Sequence, residues 1–148
     1  MDNLKKAGLD MVLGVDFGDS RTGYAVSDSL GFSAHTLEVL SEKNIIKVAE
    51  HTAEIARKMN VEKIVLGFPK NMNGTVGERG RKSKRLSKLI EEKLDIPVVL
   101  WDERLTTVSA HNLMNQTNVR GKKRKESVDK IAAAFILQSY LDSVNLRG

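Results

Sequence analysis

The stretch MVLGVDFGDSRTGYAVS, residues 11–27, decides how the rest of the chain is read. Its first five residues, Met11 to Val15, are apolar or glycine, a run short enough for a strand buried on both faces. Asp16 ends that run and Phe17-Gly18 follow. Gly18-Asp19-Ser20 is a turn sequence, so RTGYAVS (21–27) reads as a second strand. An ionised carboxylate at the end of a buried strand needs a partner, because taking it from water unpaired is costly. A metal cation is one such partner. An aspartate before glycine also serves turns, by accepting from the amides of Gly18 or Asp19, so Asp16 alone settles nothing.

Working outward, residues 32–39 read as a third strand entered through the turn at Gly31. Connections this short make the three strands an antiparallel meander. The period then changes. Between residues 44 and 59, Ile45, Val48, Ala49, Thr52, Ile55, Ala56 and Met59 recur at helical spacing. KIVLGF (63–68) is a buried strand stopped by Pro69, and 76–94 is a helix with Leu86, Leu89, Ile90 and Leu94 inward. IPVVLW (96–101) is a further strand, and a threonine N-cap opens a helix over 106–114. Residues 116–125 are polar, basic and glycine-containing, which reads as a mobile loop before a last helix at 127–144. Strands alternating with helices imply parallel pairing through crossovers. The expected fold is α/β: a mixed five-stranded sheet, an antiparallel meander followed by βαβ units, with helices on both faces. Residues 1–9 read as a flexible tail and 10–148 as one domain, a size that supports a single core.

Composition excludes several classes. With no cysteine there is no disulfide, thiolate metal site or cysteine nucleophile. No apolar run is long enough to span a bilayer, and the first ten residues lack the apolar core of a signal peptide, which fits a cytoplasmic protein. The net charge of +5 is unevenly spread. Arg79, Arg81, Lys82, Lys84, Arg85 and Lys88 form one cluster, and Arg120, Lys122, Lys123, Arg124 and Lys125 a second. Either could be a solvated face. Two of them beside acidic positions favour a polyanion partner. Aromatic residues make up only 5%, so a base-stacking platform is not indicated. His35, His51 and His111 read as structural or surface residues, and Trp101 as core.

Two more acidic positions stand out. Asp102 and Glu103 follow the strand IPVVLW, and side chains alternate along a strand, so only one of them can share a site with Asp16. The other pairs with Arg104 or caps the next helix. Asp129 has Ala132, Ala133, Ile136, Leu137 and Tyr140 as its helical neighbours, an inward face. Its competing explanation is helix-dipole service in a first turn after Ser127. Carboxylates from two strand ends and one helix start would suit Mg²⁺ or Mn²⁺, ions that can clamp an in-line phosphodiester displacement.

Four segments carry a family resemblance: GVDFGDSRTGYAVSD (14–28), VLGFPKNMNGTVGERG (65–80), LWDERLTT (100–107) and VDKIAAAFILQSYL (128–141). In this order they resemble the YqgF family, the Holliday-junction-resolvase-like pre-16S rRNA nucleases. The resemblance implies a ribonuclease-H-like fold and metal-dependent phosphodiester hydrolysis with Mg²⁺ or Mn²⁺. It implies Asp16, Glu103 and Asp129 as the catalytic and metal-binding carboxylates, with Asp102 as the alternative middle member. Arg21, Lys70, Asn71, Arg104 and Thr107, in or beside the matched motifs, are candidates to hold substrate phosphates, as are Arg120, Lys122 and Lys123. The implied role is processing the 5′ end of precursor 16S rRNA in ribosome biogenesis. Implied partners are precursor rRNA or branched DNA and the pre-ribosomal particle, with no membrane, for a monomer or homodimer. The alternatives are a Holliday-junction resolvase and a non-catalytic RNA- or ribosome-binding module. A nucleotide-binding ATPase with a similar Asp-x-Gly opening would need a second lobe, and no Walker A pattern is present.

Overall fold

The computed structural model describes residues 11–105 and 121–146, with side-chain environments over 11–104 and 128–145. The strands are β1 (Val12–Phe17), β2 (Arg21–Ser27), β3 (Ala34–Ser41), β4 (Lys63–Phe68) and β5 (Val98–Asp102). The helices are α1 (Ile45–Met59), α2 (Glu78–Glu91) and α3 (Gly121–Leu146), with a short 3₁₀ turn at Glu103–Leu105 after β5.

The strands form one sheet in the order β3-β2-β1-β4-β5. β1 pairs antiparallel with β2, and β2 with β3, through short turns. β1–β4 and β4–β5 are parallel, with α1 and α2 as part of the crossovers. This is the expected mixed sheet, a meander joined to βαβ units. The third strand lies two residues later than its apolar pattern suggested, because the turn is closed by Asp28, whose backbone amide donates to the Ser33 carbonyl.

Alternation along the strands builds two cores. Leu13, Val15, Tyr24, Ile64 and Leu66 pack with Val48, Ala49, Ile55, Leu86 and Ile90 of α1 and α2. Val12, Ala25 and Val65 pack on the other face with Ala133, Ile136, Leu137, Tyr140 and Leu141 of α3. Asn44 caps α1, its Oδ1 accepting from the amides of Ile46 and Lys47 at 2.9 and 3.4 Å.

One expectation is corrected. The basic segment read as part of a mobile loop is helical from Gly121, six residues before the expected helix start. Polarity suggested a loop, but Lys, Arg and Glu are good helix formers, and KKRKE extends the helix toward its N-terminus. The remainder of that segment, the tail at 1–9 and the helix expected at 106–114 lie outside the described residues. Among the described residues, no helix is long and apolar enough to cross a membrane.

Candidate active site

The parity that makes the α3 core also delivers the acidic residues. On β1 the positions facing α3 are Val12, Gly14 and then Asp16. On β2 they are Ala25, Gly23 and Arg21, and Gly23 is the direct cross-strand partner of Asp16. On β5 they are Val99 and Trp101, and Glu103 continues the series. On this face, close approach rather than backbone angle requires glycine at 23 and at 67. A Cβ at Gly23 would collide with the Asp129 carbonyl, so Gly23 seats that turn of α3 beside Asp16. A Cβ at Gly67 would lie 2.7 Å from Ile136 Cδ1 and 3.0 Å from Glu103 Oε1.

Asp16 and Glu103 come together at the C-terminal ends of β1 and β5, in side-chain hydrogen-bonding contact. Two carboxyl groups bond to each other only with a proton between them. Asp16 keeps part of its residue surface open, but its carboxyl is crowded by protein and its pKa rises well above the usual carboxylate range. Burial is the largest cause, then the charge of Glu103 and the hydrogen bond with it, then the charge of Asp129. Arg79 pulls in the opposite direction. The turn explanation for Asp16 is not needed by Gly18, whose amide donates to the Arg21 carbonyl at 2.9 Å.

Asp129 lies on the same side of the sheet, in the third turn of α3 rather than a first turn, so dipole service does not explain it. Its Oδ2 accepts from Arg21 Nε at 2.8 Å. Asp102 points elsewhere. It receives the Arg104 guanidinium in a fork, at 3.0 Å from Nε and 2.7 Å from Nη2, and also accepts from the Arg104 amide. That pairing holds its carboxyl below the usual range. Between the two residues that sequence left open, Glu103 is the one beside Asp16.

The other candidates divide. Arg21 and Arg104 are engaged by Asp129 and Asp102. Asn71 closes the loop over 71–75, its side-chain amide donating to Thr75 Oγ1 at 2.9 Å. Lys70 stands over the Phe68 ring, 5.8 Å from its centroid. Thr107 and Arg120 lie outside the described residues, and Lys122 and Lys123 are described only as helical backbone. Arg79, not singled out by the sequence, reaches the Asp16 carboxyl electrostatically. Its clue was its place at the end of the matched segment 65–80, inside a basic cluster.

The donor set fits a hard divalent cation in its chemistry: an acidic pair held close enough to need a proton is a pair that accepts positive charge. Among the described residues, no three acidic or histidine side chains converge around one point, and Asp129 is paired with Arg21.

Comparison with known proteins bears on family and fold. A family model described as RuvX, Holliday junction resolvase, matches residues 10–143. A protein of Clostridium novyi provisionally named pre-16S rRNA nuclease is 47% identical over 133 residues, covering 90% of this chain and 98% of its own length. A Bacillus subtilis protein of the same name is 45% identical over 140 residues, covering 90% and 99%. Among solved structures, Thermus thermophilus RuvC in complex with Holliday junction substrate superposes with a TM-score of 0.59 at 11% identity, covering 92% of this chain and 96% of that one. The fowlpox virus resolvase with Holliday junction DNA gives 0.56 at 13%, covering 90% and 98%. At such identities the likeness shows the fold, which is ribonuclease-H-like.

Proposed function

The chain belongs to the RuvX family of Holliday-junction-resolvase-like proteins and is a nuclease, and from that premise we propose that it processes the 5′ end of precursor 16S rRNA by metal-dependent phosphodiester hydrolysis. The observation that supports the catalytic assignment is the Asp16–Glu103 carboxyl pair, set at the strand ends with Asp129 on the same face. In this reading Asp16, Glu103 and Asp129 are the catalytic carboxylates and would hold Mg²⁺ or Mn²⁺. Such an ion supplies Lewis-acid polarisation of a phosphoryl oxygen and a water of lowered pKa. The chain's own residues do the positioning. Gly23 and Gly67 admit α3 and Glu103 to the sheet edge, and Arg21 orients the Asp129 carboxylate through one of its two oxygens. Arg104 draws the Asp102 charge to itself. One domain over residues 10–148 carries the activity, in the cytoplasm, with the pre-ribosomal particle as its working context. The relatives' shared name and their near full-length coverage support the rRNA substrate.

A gel assay with Mg²⁺ or Mn²⁺ tests this on three substrates: a precursor 16S rRNA fragment, an unstructured RNA and a four-way DNA junction. The expected result is 5′ cleavage of the precursor, abolished in Asp16→Asn and Glu103→Gln with binding retained. Cleavage by Asp16→Asn at the wild-type rate would remove the reaction from this site. Preferential cutting of the junction would favour the resolving reaction that the family description names. Precursor binding with no cleavage under any condition would leave a non-catalytic RNA-binding module.

A further inference from the structure

We infer that Arg21 sets which divalent cation the carboxylate site accepts. By bonding one oxygen of Asp129 it denies an ion both oxygens of that carboxylate, which favours a small six-coordinate ion such as Mg²⁺ over Ca²⁺. The inference rests on the metal-dependent nuclease reading and gives that site a selectivity device.

The carboxylates at this end of the sheet are held in different ways. Asp102 has both oxygens taken by Arg104. Its Oδ1 accepts from the Arg104 amide at 3.0 Å and from Nε at 3.1 Å, and its Oδ2 accepts from Nη2 at 2.7 Å. Asp16 and Glu103 bond to each other. Asp129 is the intermediate case. Arg21 Nε donates to Oδ2 at 2.8 Å, and among the described residues no bond from Arg21 reaches Oδ1.

This one-oxygen contact is fixed from both sides. Arg21 opens β2 opposite Ser41 of β3, and its carbonyl accepts from the Gly18 amide at 2.9 Å. Asp129 is seated on Gly23, two residues further along the same face of β2, where a Cβ would collide with the Asp129 carbonyl. The two side chains are 35% and 22% exposed, so water screens the pair only in part. Neither backbone can move away without disturbing the β1–β2 turn or the seat of α3.

The number of oxygens offered decides between ions. Ca²⁺ takes about six to eight oxygen ligands and readily uses both oxygens of a carboxylate, whereas Mg²⁺ demands near-octahedral geometry and keeps several waters. Binding through both oxygens of Asp129 requires Arg21 to release Oδ2 and leaves a guanidinium beside the ion. Ligation through the other oxygen leaves the Arg21 bond in place. The penalty therefore falls on Ca²⁺.

The experiment titrates Mn²⁺ into the full chain without nucleic acid, reads the free ion by electron paramagnetic resonance, and displaces it with Mg²⁺ or Ca²⁺. The readout is the ratio of the two displacement constants. In Arg21→Met the ratio is expected to move toward Ca²⁺ by about tenfold, the scale on which groups bonded to a metal ligand alter affinity. Loss of the positive charge alone would strengthen both divalent ions alike and leave the ratio unmoved. Arg21→Gln is a second variant expected to shift it in the same direction, and urea melts in EDTA establish that each is folded. In an Asp129→Asn background, whose amide offers a single oxygen, removing Arg21 should leave the ratio unchanged. An unmoved ratio in folded Arg21→Met, an equal shift in the Asp129→Asn background, or a wild-type chain that binds no Mn²⁺ overturns the inference. A shifted ratio with no cleavage of any substrate would sink the nuclease reading alone. Metal-dependent cleavage with an unmoved ratio would sink the selectivity role of Arg21 alone.

Discussion

The two faces of the sheet are built from different materials. The face toward α1 and α2 is filled by large aliphatic side chains, with Leu13, Ile64, Leu66, Leu86 and Ile90 fully buried. The face toward α3 has glycine at 14, 23 and 67, alanine at 25, and then Asp16 and Glu103 where the strands end. The first face removes the most apolar surface from water. The second gives up side-chain volume so that a helix backbone can come close to the strand ends, bringing Asp129 to the same side of the sheet as the acidic pair. Stability and chemistry are thus separated by the parity of the strands, and substitutions should sort by face.

The largest effect is expected from Asp16→Asn. Cleavage should fall by at least about 10³-fold, about 4 kcal/mol of transition-state stabilisation, in single-turnover assays. The same variant should be more stable than the parent at neutral pH in EDTA. The native Asp16 carboxyl holds its proton to higher pH than the unfolded chain does. The native state therefore binds more protons, and stability falls as pH rises from the unfolded carboxylate pKa through the raised native one. Urea melts from acid to neutral pH should show that decline in the parent and its reduction in the variant. A parent curve that climbs over this window would break the account of the pair.

Leu66→Ala, on the aliphatic face, should cost about 3 kcal/mol in urea melts while the cleavage rate per folded molecule stays within about twofold. Gly23→Ala should do the reverse. Its Cβ meets the Asp129 carbonyl, so about 1–3 kcal/mol of overpacking should come with a disproportionate loss of kcat. If Gly23→Ala kept full activity, the division between faces would fail. Asn44→Ala removes only the α1 cap and should cost about 1 kcal/mol without affecting cleavage.

The meander and crossovers were legible because periods of two and 3.6 residues separate strands from helices without help from tertiary contacts. Asp129 was legible as an inward charge for the same reason. The choice between Asp102 and Glu103 was not. Alternation says that they oppose each other but not which one faces α3. That needs an anchor, and the edge-on packing of Trp101 against Tyr140, with centroids 5.7 Å apart, supplies it. Arg21 read as a phosphate ligand because a basic residue in a matched motif carries no sign of a partner 108 positions away. The early start of α3 was hidden by its charge. The approach of Lys70 and Lys84 to the Phe68 ring was hidden because they meet only through the crossover between β4 and α2.

The separation of 108 residues between Arg21 and Asp129 also bears on when the protein can act. Synthesis delivers β1, with Asp16, long before the helix that completes the centre. A nascent chain thus carries one end of the site without the other. If Asp129 completes the centre as proposed, hydrolytic competence waits until the C-terminal helix has been made and docked, and the order of translation itself postpones the cutting activity.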